Sequence, residues 1–326
     1  MKITPKYFIG PMTKNVVDSI IKFCEETDNE IGLIPSRRQI EWDGGYVNNW
    51  KTQDFSSYVT SGSQRILLQR DHSGPGQGKS DDLGYRSLLE DCKNMDLIHI
   101  DPWKKYPDYR DGLEWTVDMI KYCDSISSDL MYEVGTEEAI RRFESSELDQ
   151  FLKDLRDSLG LVLFSKIKYA VIQSGTSLKG NNQTGNYDKN RLEDMISVVK
   201  KYGLLSKEHN GDYIPVSTIK EKFSLGLDSI NIAPEFGLIE TQTYLDEIKD
   251  PDLFQIFWEI CYESKKWEKW VNPDFDPLDN KEDLIKICGH YILSNPIFLS
   301  KIKSNFPGID EKIQINITEK LKKLYE

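Results

Sequence analysis

Short apolar runs, each closing on a polar or glycine-containing turn, recur along the chain at 7–10, 31–35, 65–69, 97–100, 130–134, 169–173, 204–207 and 229–232. Between them lie charged segments whose apolar positions fall at helical spacing, among them 14–26, 81–92, 112–122, 137–158, 188–202 and 215–223. Eight such alternations predict an α/β fold, a closed parallel (β/α)8 TIM barrel, and no GxGxxG opens the first unit as a dinucleotide-binding sheet would require. From residue 251 the pattern changes. DLFQIFWEICYESKKWEKW, EDLIKICGHYILSN and ITEKLKKLYE all keep a helical period without strand signals. The expected organisation is therefore a barrel over 1–250 and a C-terminal helical extension over 251–326 packed on it.

Composition narrows the function classes. Hydrophobic residues make up 38% and charged residues 29% of 326, so the chain has the apolar material for a large core. The balance of 42 Lys and Arg against 54 Asp and Glu gives −12, which disfavours a nucleic-acid or anionic-membrane partner and favours a small molecule or a protein. The first residues carry no long apolar stretch, and no apolar run approaches the length of a membrane span. Cys24, Cys92, Cys123, Cys261 and Cys288 form no CxxC pair and read as buried thiols, so a cytoplasmic location is expected.

In a TIM barrel the chemistry belongs where strands end, and the polar clusters stand there. The third run leads into QRDHSGPGQGK, which puts Asp71 and His72 beside a turn rich in Gly74, Gly76 and Gly78. An imidazole can bind a divalent ion, a carboxylate can move a proton, and glycines let backbone N–H groups approach an anion. In LIHIDPW, alternation places His99 and Asp101 on one face; His99 is either a deep core residue or a ligand. MYEVGTEE offers Glu133, Glu137 and Glu138, and LLSKEHNGDY puts Lys207 and His209 on one face with Glu208 on the other. His72, His209 and a carboxylate from another strand end can bind Zn²⁺, or with more oxygen ligands Mn²⁺ or Mg²⁺. His290, in the extension, reads as a packing residue. Lys207 and Lys179 offer the rival chemistry of a Schiff base with a ketose, although Lys179 lies in a polar Gly/Asn loop that would not lower its pKa. An anionic substrate group is expected on donors drawn from Gly74, Gly76, Lys79, Ser174, Lys179, Asn210 and Gly211.

These landmarks, QIEWDGGY (39–46), DHSGP (71–75), IHID (98–101), GTE (135–137), HNGDY (209–213) and INIAPEFG (230–237), occur in the order found in a known family. The chain resembles the accessory, non-catalytic subunit family of class II D-tagatose-bisphosphate aldolase, whose relatives include sugar-phosphate 4-epimerases. That family is in turn similar to zinc-dependent class II fructose-bisphosphate aldolases. The resemblance implies Asp71 as the acid/base and His72 and His209 as metal ligands. A further metal-binding histidine of the aldolases is missing here, because Gln173 leads into SGTSLKGNN. Glu137 is the expected third ligand, ahead of Asp101 and Glu133, which are otherwise expected as catalytic acids. Gln173 and Asn231 join the expected substrate-binding set. The implied activity is metal-dependent aldol or retro-aldol chemistry on a ketose or ketose phosphate, seen outwardly as a class II aldolase or a 4-epimerase. The alternatives are a non-catalytic subunit that stabilises a separate aldolase and a carbohydrate-binding barrel without turnover. The expected partners are a sugar or sugar phosphate, with a partner aldolase subunit or a second copy of the chain.

Overall fold

A computed structural model describes residues 3–326. Its strands are β1 (Tyr7–Ile9), β2 (Ile31–Leu33), β3 (Ile66–Ser73), β4 (Leu97–Ile100), β5 (Met131–Val134), β6 (Ile167–Ile172), β7 (Leu178–Lys179), β8 (Asn182–Gln183), β9 (Leu205–Glu208) and β10 (Ser229–Ile232). Strands β1 to β6, β9 and β10 close a parallel barrel in chain order, and Tyr7 of β1 lies opposite Ile230 of β10 at the seam. The fold is a (β/α)8 TIM barrel, as the alternation predicts. Strands β7 and β8 are a two-stranded antiparallel ribbon within the polar 174–186 segment.

The helices are α1 (Lys14–Thr27), α2 (Thr52–Gly62), α3 (Tyr85–Asn94), α4 (Tyr109–Ile126), α5 (Ser145–Phe164), α6 (Lys189–Lys201), α7 (Val216–Ser224), α8 (Pro234–Glu247), α9 (Pro251–Ser264), α10 (Lys281–Cys288), α11 (Pro296–Lys301) and α12 (Ile309–Tyr325). The segments expected to be helical from 81 and from 137 instead begin as loops, and helix starts only at Tyr85 and Ser145. At the first of these, Gly84 takes a left-handed φ of 80° directly before the helix, which reverses the chain more sharply than a helical turn can.

Side-chain alternation sorts the strands into two cores. Tyr7, Ile9, Leu33, Leu68, Ile98, Ile100, Ile230 and Ile232 face outward and are buried beneath the helices. Phe8, Ile34, Leu67, Leu97 and Tyr169 form a separate apolar cluster inside the barrel. Gly32 makes room for it: a Cβ there would stand 2.1 Å from Phe8 Cδ1. Above this plug the interior turns polar, with Gln69, Glu133 and Lys207 all fully buried.

The extension is part of the same body. Helix α12 packs against α1 and α8, and buries Ile309, Ile313, Ile317, Leu321 and Leu324 at spacings of four and three. Glu240 of α8 is the polar tie in that joint: it accepts from Thr13 Oγ1 and, at 3.0 Å, from Asn15 Nδ2, which also reaches Asp310 Oδ1 of α12 at 2.8 Å. Burial pushes the Glu240 carboxyl up to about 7 from an ordinary value near 4.5. Between those two pH values the folded chain keeps a proton that the unfolded chain releases, so this group costs stability as pH rises, and the full cost applies above the higher value. Replacing Glu240 with Gln should therefore raise stability relative to wild type at pH 8, by up to an order of 3 kcal/mol, and have little effect at pH 5. Urea unfolding of both proteins at the two pH values measures this; an equal difference at both would show that Glu240 does not titrate in the window.

Candidate metal centre and active site

The site begins with an irregularity in β3. Gln69 points into the barrel, where Nε2 donates to Glu133 Oε2 at 2.9 Å, and Arg70 points outward to Asp91 at 2.7 Å. Strict alternation would then turn Asp71 in and His72 out. Instead the pairing with β4 slips between Arg70 and Ser73, and His72 takes a left-handed φ of 44°. Such a conformation costs a side-chain-bearing residue roughly 1–2 kcal/mol. It brings two consecutive side chains to the same cavity, which regular strand geometry cannot do. The expected strand stops at Gln69, with Asp71 and His72 at its end beside the glycine-rich turn; the strand instead continues to Ser73, and both residues lie inside β3.

Asp71, His72, His99 and His209 each offer one ligand atom, and these four atoms lie within 4.8 Å of one another. The hydrogen bonds behind them set which atoms those are. His72 Nδ1 lies 2.6 Å from Asp101 Oδ2, His99 Nε2 lies 3.0 Å from the Gly135 carbonyl, and His209 Nε2 lies 2.7 Å from Glu133 Oε1. Each of those acceptors receives a hydrogen bond from the nitrogen it faces. Nε2 of His72 and Nδ1 of His209 are thereby left for the centre, and Nδ1 of His99 turns the same way while accepting from the His72 backbone N–H at 3.3 Å. Asp71 Oδ1 is buried without a hydrogen-bond partner and stands 3.5 Å from His99 Nδ1. Three imidazoles with outer acceptors orienting the rings fit a divalent ion of the zinc or manganese type, and the Asp71 carboxylate beside them is free either to join the donor set or to move a proton.

The charges are arranged to match. Burial alone would raise the Asp71 carboxyl, but the charge of His72 and the nearness of His99 and His209 hold it well below the usual carboxylate range. Burial would lower His72, yet Asp71, Asp101 and Glu137 push it up to about 10. His99 is raised in the same way, against burial, by Glu133 and Asp71. Glu133 is held far down, against burial, by Lys207, His99 and His209, and Lys207 Nζ meets Glu133 Oε2 at 2.8 Å.

A cavity of about 250 Å³ opens from this cluster toward the C-terminal face of the barrel. Asp71, His72, His209, Glu137, Asn210, Asn231, Asp212 and Gln77 line it, and so do Arg38, Lys104, Lys269, Trp270, His290 and Tyr291. The amide of Asn231 is buried with neither Nδ2 nor Oδ1 partnered. The structure thus brings together Asp71, His72, His209, Asn210, Asn231 and Glu137, although Glu137 is not one of the four converging groups. Their fourth member is His99, which the sequence left open between core and ligand.

Other expected residues are placed elsewhere. Asp101 and Glu133 are fully buried behind His72 and His209 and orient them, so they do not face the cavity as acids. Lys207, the Schiff-base alternative, is sealed below the cluster against the Phe8 ring, 3.4 Å from its centroid. Lys79 Nζ donates to the Gly44 carbonyl and Lys179 Nζ to Asn272 Oδ1. Gln173 is bound outside the cavity, donating to Thr136 and Arg141 carbonyls at 3.0 and 2.8 Å, and Ser174 donates to Glu208 on the outer face of β9. Gly74 and Gly76 shape the turn at φ 128° and 70°, Gly211 N bonds the Asn231 carbonyl at 2.8 Å, and none of the three lines the cavity. The polar ribbon instead braces its neighbours: Gln183 Nε2 donates to the carbonyls of Asn210 and Asp212, each at 3.1 Å. His290, expected to pack, forms part of the cavity wall with Nε2 buried and unpartnered.

Neither a family model nor a curated protein sequence matches this chain. Solved structures do. A probable tagatose 6 phosphate kinase from Sinorhizobium meliloti 1021 superposes with a TM-score of 0.77 at 15% identity, covering 98% of this chain and 99% of its own. The fructuronate-tagaturonate epimerase UxaE from Cohnella laeviribosi gives 0.66 at 10% identity, over 99% and 82%. The YdjI aldolase from Escherichia coli K12 gives 0.53 at 13% identity, over 92% and 93%. At these identities the likeness is one of fold.

An ion seated on His72 Nε2 must displace the proton held there at neutral pH, so affinity should rise with pH by about tenfold per unit for each proton released. Calorimetric titration with Zn²⁺ in buffers of different ionisation heat should give about one ion per chain and at least one proton released. Asp101→Asn should weaken binding by about 10- to 100-fold through the lost orientation of His72. Uptake near zero, or affinity independent of pH, would remove the metal centre.

Proposed function

We propose that this protein carries out metal-dependent aldol or retro-aldol chemistry on a ketose, acting as a class II aldolase or as a 4-epimerase of ketose phosphates. The observation that carries this reading is the convergence of Asp71 with three oriented imidazoles at one end of a cavity that also holds the unpartnered Asn231 amide. The neighbours in fold support it, since one is named an aldolase and another an epimerase of keto sugars. Zinc is the ion that the donor set favours.

His72, His99 and His209 would hold the ion, which when bound supplies positive charge where a carbonyl oxygen becomes negative. Asn231 offers one donor pair and one acceptor to substrate hydroxyls, and satisfying them removes the cost of two buried unpaired polar atoms. Asp71 Oδ1 accepts the C4 hydroxyl proton as the C3–C4 bond breaks; that bond's electron pair moves toward C2 to give an enediolate, and C4 becomes an aldehyde. Transfer of a proton to C3, which returns the enediolate to a ketone, followed by release of both fragments is aldolase turnover. Rotation of the held aldehyde, re-formation of the C3–C4 bond by attack of C3 on its other face and return of the proton from Asp71 to the C4 oxygen give the C4 epimer. Which follows depends on how firmly the cavity keeps the aldehyde.

Asp71→Asn keeps shape and the three imidazoles but cannot exchange the proton, so kcat should fall by roughly 10² to 10⁴ while ion content and fold persist. A panel of ketose phosphates, read for triose release and for C4 epimers alongside ion content, tests this. A fully active Asp71→Asn protein would eliminate the acid/base role. A wild type inactive on the whole panel, but able to stabilise a separate class II aldolase, would favour the partner-subunit role.

A further inference from the structure

Arg38 in the loop after β2, Lys104 in the loop after β4 and Lys269 in the 3-10 turn Glu268–Trp270 of the extension come from distant parts of the chain, yet all three line the cavity that holds the His/Asp cluster. About half of the cations of this acidic chain face a carboxylate, including others beside the same loops: Arg37 meets Asp82, Lys105 meets Asp81 and Arg141 meets Glu147. Among the described residues these three have no such partner. Arg38 spends only Nε, on the Gly78 carbonyl at 3.2 Å, and Lys269 Nζ lies 4.3 Å from the Trp270 ring centroid. They are close enough to oppose one another: burial, then Arg38 and Lys104, lower Lys269 to about 8, and burial followed by Arg38 lowers Lys104. Like charges gathered without a counter-ion cost free energy that an anion would recover. A second observation points the same way. His290, 5% exposed and beside Lys269, has a buried Nε2 with no partner, and the Asn231 amide between wall and floor is likewise unspent.

We propose that Arg38, Lys104 and Lys269, with His290, form the binding subsite for a phosphate monoester at the end of the substrate remote from the reacting carbonyl. The proposal rests on the sugar reading above and deepens it. Three cations match a dianion better than a carboxylate, and a guanidinium with both terminal nitrogens free can take a phosphate through two parallel bonds. On the sugar reading the cluster end of the cavity takes the carbonyl, so a phosphate at the far end of the substrate falls to the cations of the wall. The subsite spans barrel and extension, so the extension would contribute directly to substrate binding.

The test uses D-glucitol 6-phosphate, an open-chain polyol phosphate without a carbonyl, with D-glucitol and D-gluconate as controls, in calorimetric titration of the full chain. Wild type should bind the phosphate ester about ten- to a hundredfold more tightly than D-glucitol, with an affinity that falls as salt rises. Arg38→Gln, Lys104→Gln and Lys269→Gln should each lose most of that preference without weakening D-glucitol. By surface area all three residues are exposed at the cavity mouth, although Lys104 and Lys269 are partly desolvated there, so the variants should melt with wild type, and melting curves check this. No preference for the ester, equal binding of D-gluconate, or variants that bind like wild type would overturn the subsite. Because the probe cannot react, a protein that binds it through these residues yet turns over no ketose would refute the aldol reading and leave the subsite standing.

Discussion

The buried charge of Glu133 is the constraint around which the barrel interior is arranged. A carboxylate with no exposed surface must be neutralised and hydrogen-bonded, and this one is met by Lys207 at 2.8 Å, Gln69 at 2.9 Å and His209 at 2.7 Å. The Lys207 ammonium is itself desolvated, over the Phe8 ring and bonded to Gln69, so neither charge can be removed without stranding the other. Loss of one partner from such a pair costs on the order of 3–5 kcal/mol. The functional consequence lies one layer higher. By accepting a hydrogen bond from His209 Nε2, Glu133 turns Nδ1 to the cavity, and Asp101 does the corresponding work at His72 Nδ1, leaving its Nε2 to the cavity.

The second dependency is backbone strain. The slip in β3 and the left-handed His72 spend conformational energy to put adjacent side chains on one surface, and the surroundings hold them there. Asp71 N bonds the Pro35 carbonyl at 3.0 Å and Asp101 N bonds the Ser73 carbonyl at 2.9 Å, which fixes the chain on both sides of the bend. On the outer face Arg70 ties Asp91 to the carbonyls of Pro35 and Ile40. The bend is thus over-determined from inside and outside the barrel.

Strand positions and the closed barrel were legible because each depends on local periodicity, and Asp71, His72 and His209 were legible only as polar residues at strand ends. Alternation within LIHID correctly grouped His99 with Asp101, yet it could not say that one ring would face the cluster while the neighbouring acid lay behind another. That outcome depends on His72 turning inward, and hence on a slip that no short-range pattern announces. Lys79 and Lys179 lie away from the cavity for a related reason. Lys79 and Lys179 sit in glycine-rich, polar loops that look suited to phosphate, but their ammonium groups are spent on Gly44 and Asn272. Arg38, Lys104 and Lys269 look like ordinary surface cations in sequence. The one signal available was negative, that WKKY (103–106) and KWEKW (266–270) carry more cations than the acids beside them can pair.

Floor and rim of the cavity are consequently built under different rules. The floor is a charge-balanced layer on β3, β4, β5 and β9, where any single change disturbs several partners. The rim comes from loops and the extension: Tyr46 packs on Tyr291 with ring centroids 4.9 Å apart, and Trp270 Nε1 donates to Tyr291 Oη at 3.3 Å. Among the described residues Arg38, Lys104 and Lys269 face no carboxylate, so they can be exchanged without unbalancing the interior. On the proposed reading, the bond chemistry is therefore tied to the stability of the barrel, whereas recognition of the far end of the substrate is free to change with the extension.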